Sequence, residues 1–188
     1  MAHALADQSS PLALARSRQA FDYKGRISDF GRLAAVIEAD LATLESAERP
    51  ARWQDSPVRV ALDFGFADVR ESLPRVTGRA NLSLPAVCQR CLELCQVEVS
   101  ATIRYLLLEA GRESAATSEY EVWELDGDRI RPSDLVEEVL LMNIPVAARH
   151  GSAGDCGSLA ERIDAAEKDD ASGTRPFADL RARLRDKE

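Results

Sequence analysis

Arg75-Val76-Thr77-Gly78-Arg79-Ala80-Asn81-Leu82-Ser83-Leu84-Pro85-Ala86-Val87-Cys88 decides how this chain is read. Val76, Ala80, Leu82, Leu84 and Ala86 share one parity, and Arg75, Thr77, Arg79, Asn81 and Ser83 share the other. Successive side chains of a strand point to opposite faces, so the stretch is a half-buried strand. Residues 96–107 repeat the pattern, with Val97, Val99, Ala101, Ile103, Tyr105 and Leu107 on one side and Gln96, Glu98, Ser100, Thr102 and Arg104 on the other. Two such strands around a short tip predict a hairpin. The tip is Cys88-Gln89-Arg90-Cys91, and with Cys95 it gathers three of the four cysteines within eight residues.

Two thiolates at CxxC spacing on a tight turn can bite one metal ion, but they supply only half of a tetrahedral site. The remaining candidates are His150 and Cys156 in Arg149-His150-Gly151-Ser152-Ala153-Gly154-Asp155-Cys156-Gly157, a Gly-rich loop able to fold back. The expected set is therefore Cys88, Cys91, His150 and Cys156 holding a structural zinc, with Cys95 a competitor for the fourth place. Plain reduced thiols are the alternative. Cys88 keeps the parity of the buried face and alone would read as a small core residue. Cys91 lies beyond the strand end and Cys156 has no apolar neighbours, whereas His150 follows an apolar helix and could simply complement its C-terminal dipole.

The first residues, Met1-Ala2-His3-Ala4-Leu5-Ala6-Asp7, carry no basic stretch followed by a sustained apolar one, so no secretory signal is read there. Nor does any run of about 18 apolar residues offer a membrane span. A cytoplasmic location follows as the expectation, with reduced thiols and a CxxC that is metal-binding or redox-active.

The 188 residues carry a net charge of -8 with 45% hydrophobic content, enough for one substantial core and too acidic for a wholly basic nucleic-acid binder. The acidity is localised: residues 117–170 hold fourteen acidic and five basic side chains, against eight and eight in residues 1–60 and seven and six in residues 61–116. A neutral-to-basic sheet region beside an acidic segment fits a polar binding face whose arginines meet phosphate. Arg75, Arg79, Arg90 and Arg104 lie on or beside the exposed parity and tip of the hairpin, with Arg16, Arg18, Lys24 and Arg26 upstream as a second basic group. Thr77, Asn81 and Ser83 provide no aromatic platform for stacking bases, so recognition by shape and phosphate, or through a partner protein, is expected over base reading.

Elsewhere, Ser28-Asp29 is positioned to cap a helix carrying Leu33, Ala34, Ile37 and Leu41. Val58, Val60, Leu62, Phe64 and Phe66 alternate with Arg59, Ala61, Asp63 and Gly65 as a first strand of the sheet. Asp126-Gly127, between residues 120–125 and 129–131, signals another small hairpin. Pro132, the acidic start, the set Leu135, Val136, Val139, Leu140 and Ile144, and the stop at Pro145 define the clearest helix. The fold class is thus α+β: one domain over residues 15–150, a mainly antiparallel sheet that could be barrel-like, covered by one or two helices, with a cysteine knuckle at a hairpin tip. Residues 151–174 read as a flexible acidic loop, with a weak helix over residues 159–168. Residues 175–188 read as a docking tail in which Phe177, Leu180 and Leu184 share a helical face.

Cys88-Gln89-Arg90-Cys91-Leu92-Glu93 at a strand end, the helix from Asp134 to Pro145 followed closely by His150 and Cys156, and Pro176-Phe177-Ala178-Asp179-Leu180 together resemble the large ribosomal RNA subunit accumulation protein family, the YceD-like proteins. Asp22-Tyr23-Lys24-Gly25-Arg26 is similar to that family's N-terminal strand. The resemblance implies a non-catalytic factor for synthesis, processing or stability of large-subunit (23S) ribosomal RNA, with that RNA, its precursor particle or a ribosomal protein as partner. Relatives resemble one another in a second CxxC after the helix, a place held here by His150 and Cys156. The rival reading is a thiol-disulfide oxidoreductase built on Cys88 and Cys91, although such thiols favour a helix N-terminus and this pair lies between strands. A purely protein-binding zinc module is a further alternative. No Ser/His/Asp set, phosphate-binding Gly loop or HExxH run is present to support an enzyme.

Overall fold

A computed structural model describes residues 5–111 and 119–157. Residues up to Arg149 form one compact unit, and the segment from His150 onward is described by itself. The expected weak helix over 159–168 and the docking tail over 175–188 lie outside the described residues.

Five strands form one open sheet in the order β1-β2-β3-β4-β5: β1 Ala20–Arg26, β2 Pro57–Phe66, β3 Pro74–Val87, β4 Leu94–Glu109 and β5 Glu121–Leu125. The first four are antiparallel neighbours, and β5 adds parallel to β4. No pairing joins β1 to β5, so the sheet does not close into a barrel. The strand read from its alternation as the first is the second, and Ala20–Arg26, which contains the segment likened to an N-terminal strand, pairs along it as β1.

The alternation read from the sequence is what buries one face. Val58, Val60, Leu62 and Phe64 of β2, Val76, Ala80 and Leu82 of β3, and Val97, Val99, Ala101 and Ile103 of β4 are buried, while Arg59, Asp63, Arg79, Asn81, Ser100 and Thr102 are exposed. Helix α2, Gly31–Leu41, packs on β3 through its buried Leu33, Ile37 and Leu41, and α3, Pro132–Asn143, packs on β4 through Leu135, Val136, Val139 and Leu140. A six-residue α1, Pro11–Arg16, rests on β2 and β3. The alternation fails in two places. Leu84, Pro85, Ala86, Val87 and Cys88 are all buried as the hairpin approaches its tip, and Leu106, Leu107 and Leu108 are all buried where β5 pairs.

Two local expectations are corrected. Ser28 and Asp29 belong to a 3-10 turn, Ile27–Asp29, and α2 begins after it with no side-chain cap of its own. Its free N–H groups are met instead by Glu137 of α3, whose Oε1 accepts from Arg32 N at 2.7 Å and Leu33 N at 3.1 Å. A carboxylate at a helix N-terminus satisfies orphan donors and complements the dipole, and here one from the neighbouring helix does so. Likewise Asp126-Gly127 turns no hairpin. Ile130 bridges antiparallel to Ser9, and the strand before the turn pairs with β4. An isolated two-stranded ribbon is marginal, and pairing with an existing sheet outcompetes it.

Candidate metal centre

The knuckle is built from the hairpin outward. Cys88 N donates to Glu93 O at 2.9 Å and Leu92 N to Cys88 O at 2.8 Å, closing a tight turn between β3 and β4. Leu92 takes a left-handed φ of 63°, which lets the chain reverse within so few residues. The turn is held from outside by Gln89 N donating to Ala148 O at 2.8 Å, which brings the chain that follows α3 to the knuckle just before His150. Asp40 of α2 accepts from Val87 N at 2.8 Å and fixes the strand end.

The second piece is residues 150–157. A 3-10 turn, Ala153–Cys156, begins at Ser152, whose Oγ accepts from Gly154 N at 3.2 Å. It sets Cys156 Sγ 3.6 Å from His150 Nδ1. Tetrahedral zinc, with bonds of about 2.3 Å to sulfur and about 2.0–2.1 Å to nitrogen, requires an S···N edge of about 3.6 Å.

Cys88, Cys91, His150 and Cys156 offer four ligand atoms that all lie within 4.8 Å of one another, a group that could hold a metal ion. Cys88 and Cys156 are buried, and Cys91 and His150 half-buried. The donor chemistry fits a soft or borderline cation: three thiolates and an imidazole suit zinc and would not hold magnesium or calcium. Four protein donors complete a tetrahedron and leave no open position for a reactive water. Cys95 is buried on β4 opposite Ala86 and is not one of the four. The CxxC pair sits in the turn between β3 and β4.

The basic residues divide. Cross-strand pairing lines up Lys24, Arg59, Asn81 and Ser100 in one row of the exposed sheet face, Asp22, Ala61, Arg79 and Thr102 in the next, and Ala20, Asp63, Thr77 and Arg104 in a third. Arg79 and Arg104 lie on the exposed parity read from the sequence, and Lys24, read there as part of a second basic group, shares their face. Arg59 joins them and was missed, although its parity opposite Val58 and Val60 was the signal for it. Arg104 lies over the Tyr120 ring, 5.5 Å from its centroid. Arg75 is engaged inside the sheet: it pairs with Asp63 at 3.4 Å and donates to Thr77 Oγ1 at 2.9 Å. Arg26 pairs with Asp55 at 3.1 Å, and hydrogen bonds from Arg52 and then Arg26 hold that carboxyl below its usual range. Arg90 is half-buried at the tip. Arg16 and Arg18 line a separate cleft of about 490 Å³ with Arg75, where Asp63, Asp68 and Glu71 balance their charge.

An open, one-sided sheet with a thiolate-imidazole knuckle at one hairpin tip and a basic polar face defines a small α+β protein organised around a candidate metal site. The family model for the large ribosomal RNA subunit accumulation protein YceD matches residues 76–182, more than half of the chain, and the chain belongs to that family. The match takes in the knuckle, α3, His150 and Cys156, and begins after β1 and β2. No curated protein and no solved structure matches the chain. Among the described residues no helix is long and apolar enough to cross a membrane.

Proposed function

We propose that this protein is a non-catalytic, cytoplasmic ribosome-biogenesis factor that supports accumulation of large-subunit (23S) ribosomal RNA by gripping the RNA, or its precursor particle, through phosphate contacts on the open sheet face. The family description names an accumulation factor. The observation that carries the reading is the alignment of Lys24, Arg59, Arg79 and Arg104 on a sheet face that carries no aromatic stacking platform along its central rows. Such a face offers guanidinium forks to phosphate oxygens. Arg26, Arg75 and Arg90 flank it and add positive potential, with Arg26 and Arg75 already paired to carboxylates.

In the same reading Cys88, Cys91, His150 and Cys156 hold one structural zinc. The ion would tie the segment after α3 to the hairpin tip and keep the tip rigid beside the RNA-binding face. The test for RNA is titration of purified protein with large-subunit RNA over a range of salt. Affinity that falls steeply with salt, and weakens in Arg79→Glu and Arg104→Glu, is expected. Salt-independent binding, or variants that bind as the wild type does, would move the contact to a ribosomal protein. A thiol-disulfide exchange activity lost in Cys91→Ser would revive the oxidoreductase reading.

A further inference from the structure

The strands β1 to β4 each give one exposed arginine to the open face, and the register sets these four in a line. Arg59 is opposite Lys24, and Arg26 lies two residues beyond Lys24 on β1. On the other side Arg59 is opposite Asn81, and Arg79 lies two residues before it; Arg79 is opposite Thr102, and Arg104 lies two residues after that. Each step is one strand across, about 4.8 Å, and two residues along, about 6.7 Å, so successive arginines stand about 8 Å apart and the line runs about 25 Å. Asn81, Ser100 and Thr102 border it on one side, Asp22 and Asp63 on the other. At its far end Arg104 lies over the ring of half-buried Tyr120, 5.5 Å from the centroid.

We propose that this diagonal takes a single-stranded stretch of RNA, its phosphates meeting Arg26, Arg59, Arg79 and Arg104 in turn and one unpaired base stacking on the Arg104–Tyr120 pair. The inference rests on the RNA-binding reading of the open face and narrows it from RNA to unpaired RNA. Three features choose the single strand. The cations form one line, and the carboxylates of Asp22 and Asp63 along its flank repel phosphate, so a second strand beside the first is disfavoured. The neutral flank offers the Asn81 amide and the Ser100 and Thr102 hydroxyls, which both donate and accept and so suit ribose hydroxyls and exposed base edges. The third feature is the aromatic end. Bases inside a duplex are stacked on one another, whereas a splayed base can lie on a tyrosine ring or a guanidinium plane. Such stacking accepts any base, which agrees with a face that reads phosphate and shape. A line of about 25 Å suits about four nucleotides, the short end of single-strand sites.

The test compares the full chain's affinity, by fluorescence anisotropy, for an end-labelled RNA of about ten unpaired nucleotides and for the same sequence in a duplex. The single strand should bind at least about tenfold more tightly. Tyr120→Leu should weaken single-strand binding by about tenfold, leaving the salt dependence and the duplex affinity as they are, because the ring meets a base and no phosphate. Arg104→Lys keeps the charge but loses the plane, and should weaken the single strand in the same selective way. Tyr120→Trp should restore wild-type affinity, which separates stacking from a loss of folding. Equal affinity for the two forms, or Tyr120→Leu and Arg104→Lys proteins that bind the single strand as the wild type does, would overturn this inference; the RNA reading would stand if binding still fell with salt and in Arg79→Glu. Absence of salt-dependent binding to either form would overturn both.

Discussion

At the tip of the β3–β4 hairpin Cys88 is buried beside ligands that arrive from beyond α3; midway along the same two strands Arg79 and Thr102 face each other in open solvent. The two regions share strands and register, yet they depend on different physics. The tip collects thiols and an imidazole that could hold a metal ion, and with the proposed ion bound its cohesion would rest on a few strong, geometrically demanding bonds. The open face collects charges that stabilise the fold little, since exposed ion pairs are worth only about 0–1 kcal/mol, and that are therefore free to serve a ligand. Substitutions at the tip should be read out as stability, and substitutions on the face as binding.

The largest effect is expected at the tip. Cys91→Ser should release the metal, and for an ion present at about a thousandfold over its Kd the stability lost is about 4 kcal/mol. In a chain of this size that lowers Tm by roughly 10 °C. Protein purified without chelator should hold one zinc per chain by elemental analysis. Absence of zinc, with wild type and variant melting together, would dissolve the contrast between tip and face.

Next comes the helix layer that covers the other side of the sheet. Glu137 is buried, accepts from two α2 N–H groups and pairs with Arg32 Nε at 3.1 Å. Removing it in Glu137→Ala leaves two donors without their acceptor and should cost about 2 kcal/mol, seen as a lower urea midpoint at constant slope. RNA affinity at saturating folded protein should be unchanged, and a loss there would make the helices part of the binding surface.

On the open face, Arg59→Glu combined with Arg79→Glu should weaken RNA binding about tenfold or more and flatten the salt dependence by about 1.5 in slope, as two phosphate contacts require. Unfolding should move by no more than about 0.5 kcal/mol. A large stability change would show that the face is structural.

The smallest effect concerns pH. Tyr23 donates to Asp29 Oδ2 at 2.6 Å, and burial together with that hydrogen bond to a carboxylate raises its phenol above the ordinary value. A folded pKa raised above the unfolded one, about 10, adds stability that is complete below pH 10 and is lost as pH climbs toward the folded value. Alkaline titration of Tm should therefore fall more steeply above pH 10 in the wild type than in Tyr23→Phe. Parallel curves would show that the Tyr23–Asp29 bond adds nothing to the fold.

Much of this architecture was legible because it is local. The period of two in β2, β3 and β4 determined which side chains face inward, the CxxC between two such runs determined a thiol-bearing tip, and the apolar spacing before Pro145 determined α3. The sequence by itself also carried the resemblance to the family. Tertiary structure decided the rest, and for one reason: each remaining feature depends on groups far apart in the chain whose meeting no local period encodes. Glu137 caps a helix about a hundred positions before it, displacing Ser28 and Asp29 from that role. β5, Glu121–Leu125, joins β4 in parallel because an existing edge binds a strand better than the Asp126-Gly127 turn can. Arg59 enters the basic face, and Arg75 is tied to Asp63 and Thr77, through a cross-strand register that three separate strands set together. His150 and Cys156 were nameable from their residue types, but only the returning chain, bonded at Ala148 to the knuckle turn, brings four ligand atoms within reach of one ion.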